Sequence, residues 1–100
     1  MMSGITIEKN VTPIKLDTLA IDRWPIWSKE VSTFDWLYEQ NETCYILEGE
    51  AIITIRHEAN DKSGSRESVT ITEGDLVSFS QGLSCQWRIT SPIKKHYNLK

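Results

Sequence analysis

Four side chains of this 100-residue chain could carry chemistry: Glu42, Tyr38, Cys85 and His96. A carboxylate held among apolar groups is a natural general acid or base. A thiol is a nucleophile or a metal ligand once ionised, and a phenol or an imidazole can pass a proton to a bound molecule. Glu42 opens the run Glu-Thr-Cys-Tyr-Ile-Leu-Glu-Gly at 42–49. In an extended chain successive side chains alternate, so Glu42, Cys44 and Ile46 share one face and Thr43, Tyr45 and Leu47 the other. A carboxylate and a thiol on an inward face beside an isoleucine suggest a pocket, not a plain core. The same alternation sets Cys85, Trp87 and Ile89 inward and puts Phe34, Trp36 and Tyr38 in one row. Trp36, Cys44 and Trp87 are therefore candidate substrate-binding walls. His96 joins the set if the last strand turns its ring inward; a solvent-exposed strand histidine is the alternative. Each of the others also has a plain structural reading: Glu42 as a hydrogen-bonded buried carboxylate, Cys85 and Cys44 as small buried hydrophobes, and the aromatics as core packing.

Short β segments must position these residues. Residues 5–8 alternate as an edge strand, and 16–21 offer the one helical turn. The segment Arg-Trp-Pro-Ile-Trp at 23–27 is extended, because Pro25 fixes its own φ and drives Trp24 away from helix. Both faces of the 42–47 strand are apolar, so this segment is expected to lie across the Tyr45 and Leu47 face, or a second subunit to cover it. Residues 31–38 form a strand that Gln40 and Asn41 turn into the central run. Gly49 between two β-rich runs reads as the reversal of a hairpin, whose second arm ends at Arg56 and His57 before a polar turn-rich stretch at 59–65. Strands follow at 68–72, with Val69 and Ile71 buried, and at 76–79 and 85–89. Pro92 breaks the run, and 93–98 closes the chain, with Lys94 and Lys95 read as a solvated strand end. Short strands separated by turn formers at even spacing give an all-β sandwich or barrel.

Length and composition bound the function. One hundred residues make one domain, and a chain of this size can bury a core without disulfides. A net charge of −3, with Lys94-Lys95 and loop ends as the only basic clusters, argues against nucleic acid as a partner. No apolar run reaches membrane-spanning length, the opening Met1, Met2, Ser3 and Gly4 do not begin a signal peptide, and two cysteines outside any CxxC pair suit a reducing compartment. A cytosolic protein with two free thiols is expected. The four tryptophans suggest a pocket or interface lined with flat surfaces.

At this point the residues carry a resemblance. Glu42 followed after six residues by Gly49 resembles the end of the first cupin motif. Gly74, then Ser80, Gln81 and Gly82, then Cys85, resembles the second. Trp-Pro-Ile-Trp at 24–27, the run at 42–49, Gly-Asp-Leu-Val at 74–77 and Lys-His-Tyr-Asn at 95–98 are similar to one group of small single-domain, RmlC-like cupins. This group is related to the cupin domain of (S)-ureidoglycine aminohydrolase and to the ethanolamine-utilisation cupins. The resemblance implies an all-β fold, the cupin double-stranded β-helix, a jelly-roll barrel of short antiparallel strands. It also implies a single domain over 1–100, with 1–23 as an N-terminal strand or arm and 24–98 as the barrel.

Cupin metal sites take two His and one Glu from the first motif and one His from the second. The Glu position is Glu42 here. The motif's variable spacing puts the two His positions at Trp36 and Tyr38 or at Asp35 and Leu37, of which inward alternation favours the first, and the last position holds Cys85. Glu42 and Cys85 alone could hold a divalent ion only weakly, so no cofactor is expected, and the aminohydrolase activity, which relies on a metal, is not carried over. The resemblance implies a small polar metabolite at the barrel mouth. Two functions follow: an enzyme with Glu42 as general acid or base, assisted by Tyr38, Cys85 and His96, or a non-catalytic metabolite-binding or assembly module. With apolar residues on both sheet faces, a homodimer is expected.

Overall fold

The computed structural model describes residues 4–56 and 67–99. Seven strands run through it: β1 (Ile5–Glu8), β2 (Ile26–Lys29), β3 (Ser32–Leu37), β4 (Glu42–Ile55), β5 (Ser68–Thr72), β6 (Leu76–Phe79) and β7 (Ser84–Leu99). One helix, α1 (Pro13–Leu19), and a 3₁₀ turn at Ile21–Arg23 connect β1 to β2. The helix starts where Thr12 accepts the Lys15 amide at 3.2 Å and Pro13 supplies a preset first turn. It ends at Ala20, in the left-handed conformation with φ 54°, and buries none of its residues. The polar stretch read at 59–65 lies outside the described residues.

Two long strands build the fold. β4 and β7 pair antiparallel from Glu42↔Leu99 to Ile55↔Cys85, and each changes its other neighbour halfway. The first part of β4 pairs with β6 and its second part with β5. The first part of β7 pairs with β3 and its second part with β2. β1 extends the sheet from β6, so a strand from the segment read as an arm pairs at the sheet's edge. The core lies on the inward rows of these strands: Cys44, Ile46, Ala51 and Ile53 from β4, Cys85, Trp87, Ile89 and Ile93 from β7, with Ile71, Val77 and Phe79 against them.

Two local expectations are corrected here. Gly49 does not reverse the chain: β4 runs unbroken through it, and register shifts between Ile46 and Ala51 bend the strand instead. The inward row accordingly passes from Cys44 and Ile46 to Ala51, Ile53 and Ile55, as bulges reassign faces in a period-2 element. Gly49 sits at φ 93°, and a Cβ there would lie 2.2 Å from the Pro92 carbonyl oxygen, so the bend is a close crossing of β4 over β7. Pro92, likewise, does not end its run. It falls within the irregular pairing between Ser91 and Lys94, where no regular ladder bond is demanded of it.

The 23–27 segment is placed differently as well. β2 joins the sheet beside β7, with Ile26 opposite His96 and Trp27 opposite Lys95, rather than crossing a face. Only its approach touches the outer face: the Trp24 carbonyl oxygen lies 2.8 Å from His96 Nδ1.

Candidate functional site

The aromatic row of β3 faces the inward row of β7 in strict register, Phe34 opposite Trp87 and Trp36 opposite Cys85. The first ring pair is near-parallel, with centroids 6.1 Å apart. Trp27 meets Trp87 edge-on at 6.2 Å, and Tyr38 stacks on Phe79 at 4.5 Å. The rings of Trp27, Phe34, Trp36, Tyr38 and Trp87 line a cavity of about 560 Å³ together with Glu42 and Lys95. Trp36, Leu37 and Leu99, each about half exposed, form its apolar rim.

The polar floor is an ion pair. Lys95 Nζ donates to Glu42 Oε2 at 2.7 Å, and both residues are buried. In register Lys95 stands opposite Ile46 and Glu42 opposite Leu99, so the lysine must reach along the sheet, past the Cys44–Tyr97 pair, to meet the carboxylate. Its ammonium lies 5.0 Å from the Trp27 ring centroid and 4.8 Å from that of Trp87. Indole faces attract a cation, and the pair satisfies charges that burial alone would make costly.

Tyr38 stands at the side of the floor, where its hydroxyl oxygen accepts the Trp87 indole N–H at 3.2 Å. Burial first, and then the nearby Glu42 carboxylate, raises the phenol well above its usual range. Tyr38 is thus a neutral hydroxyl that can donate a hydrogen bond, not a phenolate.

Four of the residues singled out in the sequence come together around the cavity: Glu42, Tyr38, Trp36 and Trp87. Three do not. Cys85, set inward at the last cupin ligand position, is fully buried in the core, and burial pushes its thiol up to about 11. Cys44 is also fully buried, with its thiol pushed up to about 12 for the same reason. Both are free thiols and neither lines the cavity, which leaves Cys44 no wall to form, and a protonated, buried Cys85 is poorly suited to act as a nucleophile. His96 points to the opposite side of β7 from Lys95. A carbonyl only accepts, so its Nδ1 carries the hydrogen and donates to Trp24; the ring holds the β2 approach and does not reach the cavity.

Lys95 is buried in the site rather than solvated at a strand end as the adjacent lysines suggest in sequence. The signal was present: Ile93 and Tyr97 are apolar at a spacing that shares a face, which places Lys95 inward between them and His96 outward. An inward Glu42 also requires a cation.

The residues at the cupin metal positions do not fit a metal. Trp36 has no donor atom for one, the Tyr38 hydroxyl is taken up by the Trp87 indole N–H, Cys85 is fully buried, and the Glu42 carboxylate is already paired with an ammonium. Among the described residues no three His, Cys, Asp or Glu side chains converge as ligands, whereas a catalytic site for a first-row metal takes three or more.

The long bent pair β4–β7, recruiting different neighbours on its two halves around an aromatic mouth, defines an all-β cupin jelly roll. The chain belongs to the EutQ-like cupin domain family, which it matches over residues 16–97. It is similar to a DUF861 family protein from Thermotoga maritima, with 49% identity and a TM-score of 0.84, covering 96% of this chain and 99% of that one. The EutQ protein of Clostridium difficile is similar at 18% identity and a TM-score of 0.61, over 95% of this chain and 66% of that one. RmlC from Streptococcus suis shares the fold at 11% identity and a TM-score of 0.55, over 97% and 61%. None of the curated proteins matches the chain in sequence. No helix among the described residues is long and apolar enough to cross a membrane.

Proposed function

We propose that this cupin acts on a small polar molecule with a flat body, without a complete cupin metal site. The observation that carries the reading is the Glu42–Lys95 pair at 2.7 Å on the floor of an aromatic-walled cavity of about 560 Å³. A volume of this size suits a small ligand, and aromatic walls with a few convergent polar groups are the usual make-up of such sites. In this reading Glu42 takes or returns a proton, Lys95 holds the negative charge that develops on the ligand, and the neutral Tyr38 hydroxyl donates a hydrogen bond. The test is a thermal-shift screen of polar metabolites on the wild type and Glu42→Gln, followed by product analysis of any hit. A hit that stabilises the wild type, is converted, and is not converted by Glu42→Gln supports the enzyme. A hit that the wild type never converts, or one converted equally by Glu42→Gln, refutes the enzyme, and a screen with no hit at all refutes the pocket.

A second reading is a non-catalytic binding module. It draws on the inertness of two of the groups first given catalytic roles: the Cys85 thiol is buried and protonated, and His96 faces away. A ligand that binds but is never converted would select it.

A further inference from the structure

We infer that the Glu42–Lys95 pair reads a lactam edge, the adjacent C=O and N–H of a flat neutral heterocycle; this rests on the proposal that the cavity binds a small flat molecule. An ammonium has three N–H donors, and among the described residues Lys95 spends one on an oxygen, Glu42 Oε2. The flanking Trp27 and Trp87 faces hold its charge without offering a lone pair. The second Glu42 oxygen accepts from no donor among the described residues. A donor and an acceptor with spare capacity therefore stand side by side on the floor of the cavity that both residues line.

Charge decides what fits there. The pair is neutral in sum. An incoming anion would compete with Glu42 for the ammonium while facing its carboxylate, and an incoming cation would meet the converse problem with Lys95. A neutral group with one acceptor and one donor satisfies both residues and leaves the pair intact. Geometry narrows the class further. Open-chain secondary amides are trans, with C=O and N–H on opposite sides, so one edge cannot address both groups. A ring lactam is held cis and presents them together. Its flat body suits the faces of Phe34, Trp36 and Trp87, which converge on the same cavity. The carbonyl oxygen accepts from Lys95, the ring N–H donates to Glu42, and no covalent change is required for recognition.

The probes are 2-pyridone, which has this edge, and 1-methyl-2-pyridone, which replaces the donor with a methyl group. Titration of the full chain is followed on the Trp87 indole N–H by two-dimensional NMR. The wild type is expected to bind 2-pyridone roughly ten-fold or more tightly than the methyl compound, as loss of a hydrogen bond to a charged group implies. The double variant Glu42→Leu/Lys95→Met removes both charges together, which keeps it foldable, and is expected to bind the two pyridones alike. Equal affinity of the wild type for both probes overturns the lactam edge while leaving the flat-ligand pocket standing. Binding of neither probe at high millimolar concentration overturns both. A folded double variant that still prefers 2-pyridone overturns the role of the pair.

Discussion

The Lys95 ammonium lies 2.7 Å from the Glu42 carboxylate and about 5 Å from the centroids of two indole rings, all four groups coming from strands β2, β4 and β7. Each charge is tolerable only because the other is there. Removing one partner of a buried pair typically costs about 3–5 kcal/mol, whereas replacing both with apolar groups of similar volume is often neutral. Lys95→Met is therefore expected to lose roughly 3 kcal/mol or more, and Glu42→Leu a similar amount, while the double variant recovers most of the loss. Urea denaturation of the four proteins gives the cycle. Additive losses would show that the two residues do not stabilise one another.

Gly49 carries a different demand. Its φ of 93° is a conformation that side chains resist, and a Cβ there would meet the Pro92 carbonyl at 2.2 Å, a backbone atom with no rotamer to yield. Gly49→Ala is expected to destabilise by about 3 kcal/mol or more, combining positive-φ strain with displacement of β7. Gly74→Ala, at φ 91° but with nothing near its Cβ, should cost only the strain, roughly 1–2 kcal/mol. Equal melting temperatures for the two variants would contradict the crossing.

The two thiols make stability depend on alkaline pH. In the folded chain they hold their protons up to about 11 and about 12, against an ordinary value of 9.0. Above pH 9 the unfolded chain has released these protons and the folded one has not, so the unfolded state binds fewer and stability falls as pH rises. The stabilisation is intact below pH 9 and is lost through the folded-state values, at about 1.4 kcal/mol per thiol per pH unit at most. Thermal melts between pH 8 and 10 should fall more steeply for the wild type than for Cys44→Ala/Cys85→Ala. Parallel slopes would sink the assignment.

These three cases also mark what could be read in the sequence. Alternation along residues 42–46 and 34–38 was enough to bring Glu42, Trp36 and Tyr38 to one cavity, because a strand's faces are a local property. Gly49 misled for the same reason. A glycine between two β runs is locally a hairpin signal, and its real duty, the crossing with Pro92, belongs to a contact distant in the chain. Lys95 was missed because two adjacent lysines look solvated until Ile93 and Tyr97 fix the face and Glu42 supplies the counter-charge. The inward direction of Cys85 is legible for the same local reason, but its complete burial depends on strands paired from elsewhere in the chain.

A second copy of the chain is expected to cover the β2–β3 side. Ile26, Val31, Trp36 and Leu37 are all at least half exposed there, and β3 has β7 as its sole strand partner among the described residues. An edge strand with apolar side chains invites pairing, and a two-fold contact would bury them on both copies. Light scattering should return a dimer mass, and Trp36→Glu/Leu37→Glu should return a monomer. A monomeric wild type at tens of micromolar would rule this out.

The last prediction concerns metal. A cupin barrel invites the expectation of a bound transition ion, yet the positions that would hold it present an indole, a protonated phenol, a protonated thiol and a carboxylate already paired with an ammonium. Zinc would have to displace Lys95 from Glu42 and draw protons from two groups whose burial raises the cost of ionising them. Calorimetric titration with zinc or manganese at neutral pH is therefore expected to give no stoichiometric heat, and neither metal should raise the melting temperature. Lys95→Ala frees the carboxylate but restores no ligand set, so at best a weak, non-stoichiometric response should follow. A stoichiometric site in the wild type that disappears in both Glu42→Ala and Cys85→Ala would overturn this account, because it would require the ion pair to open and the buried thiol to ionise together.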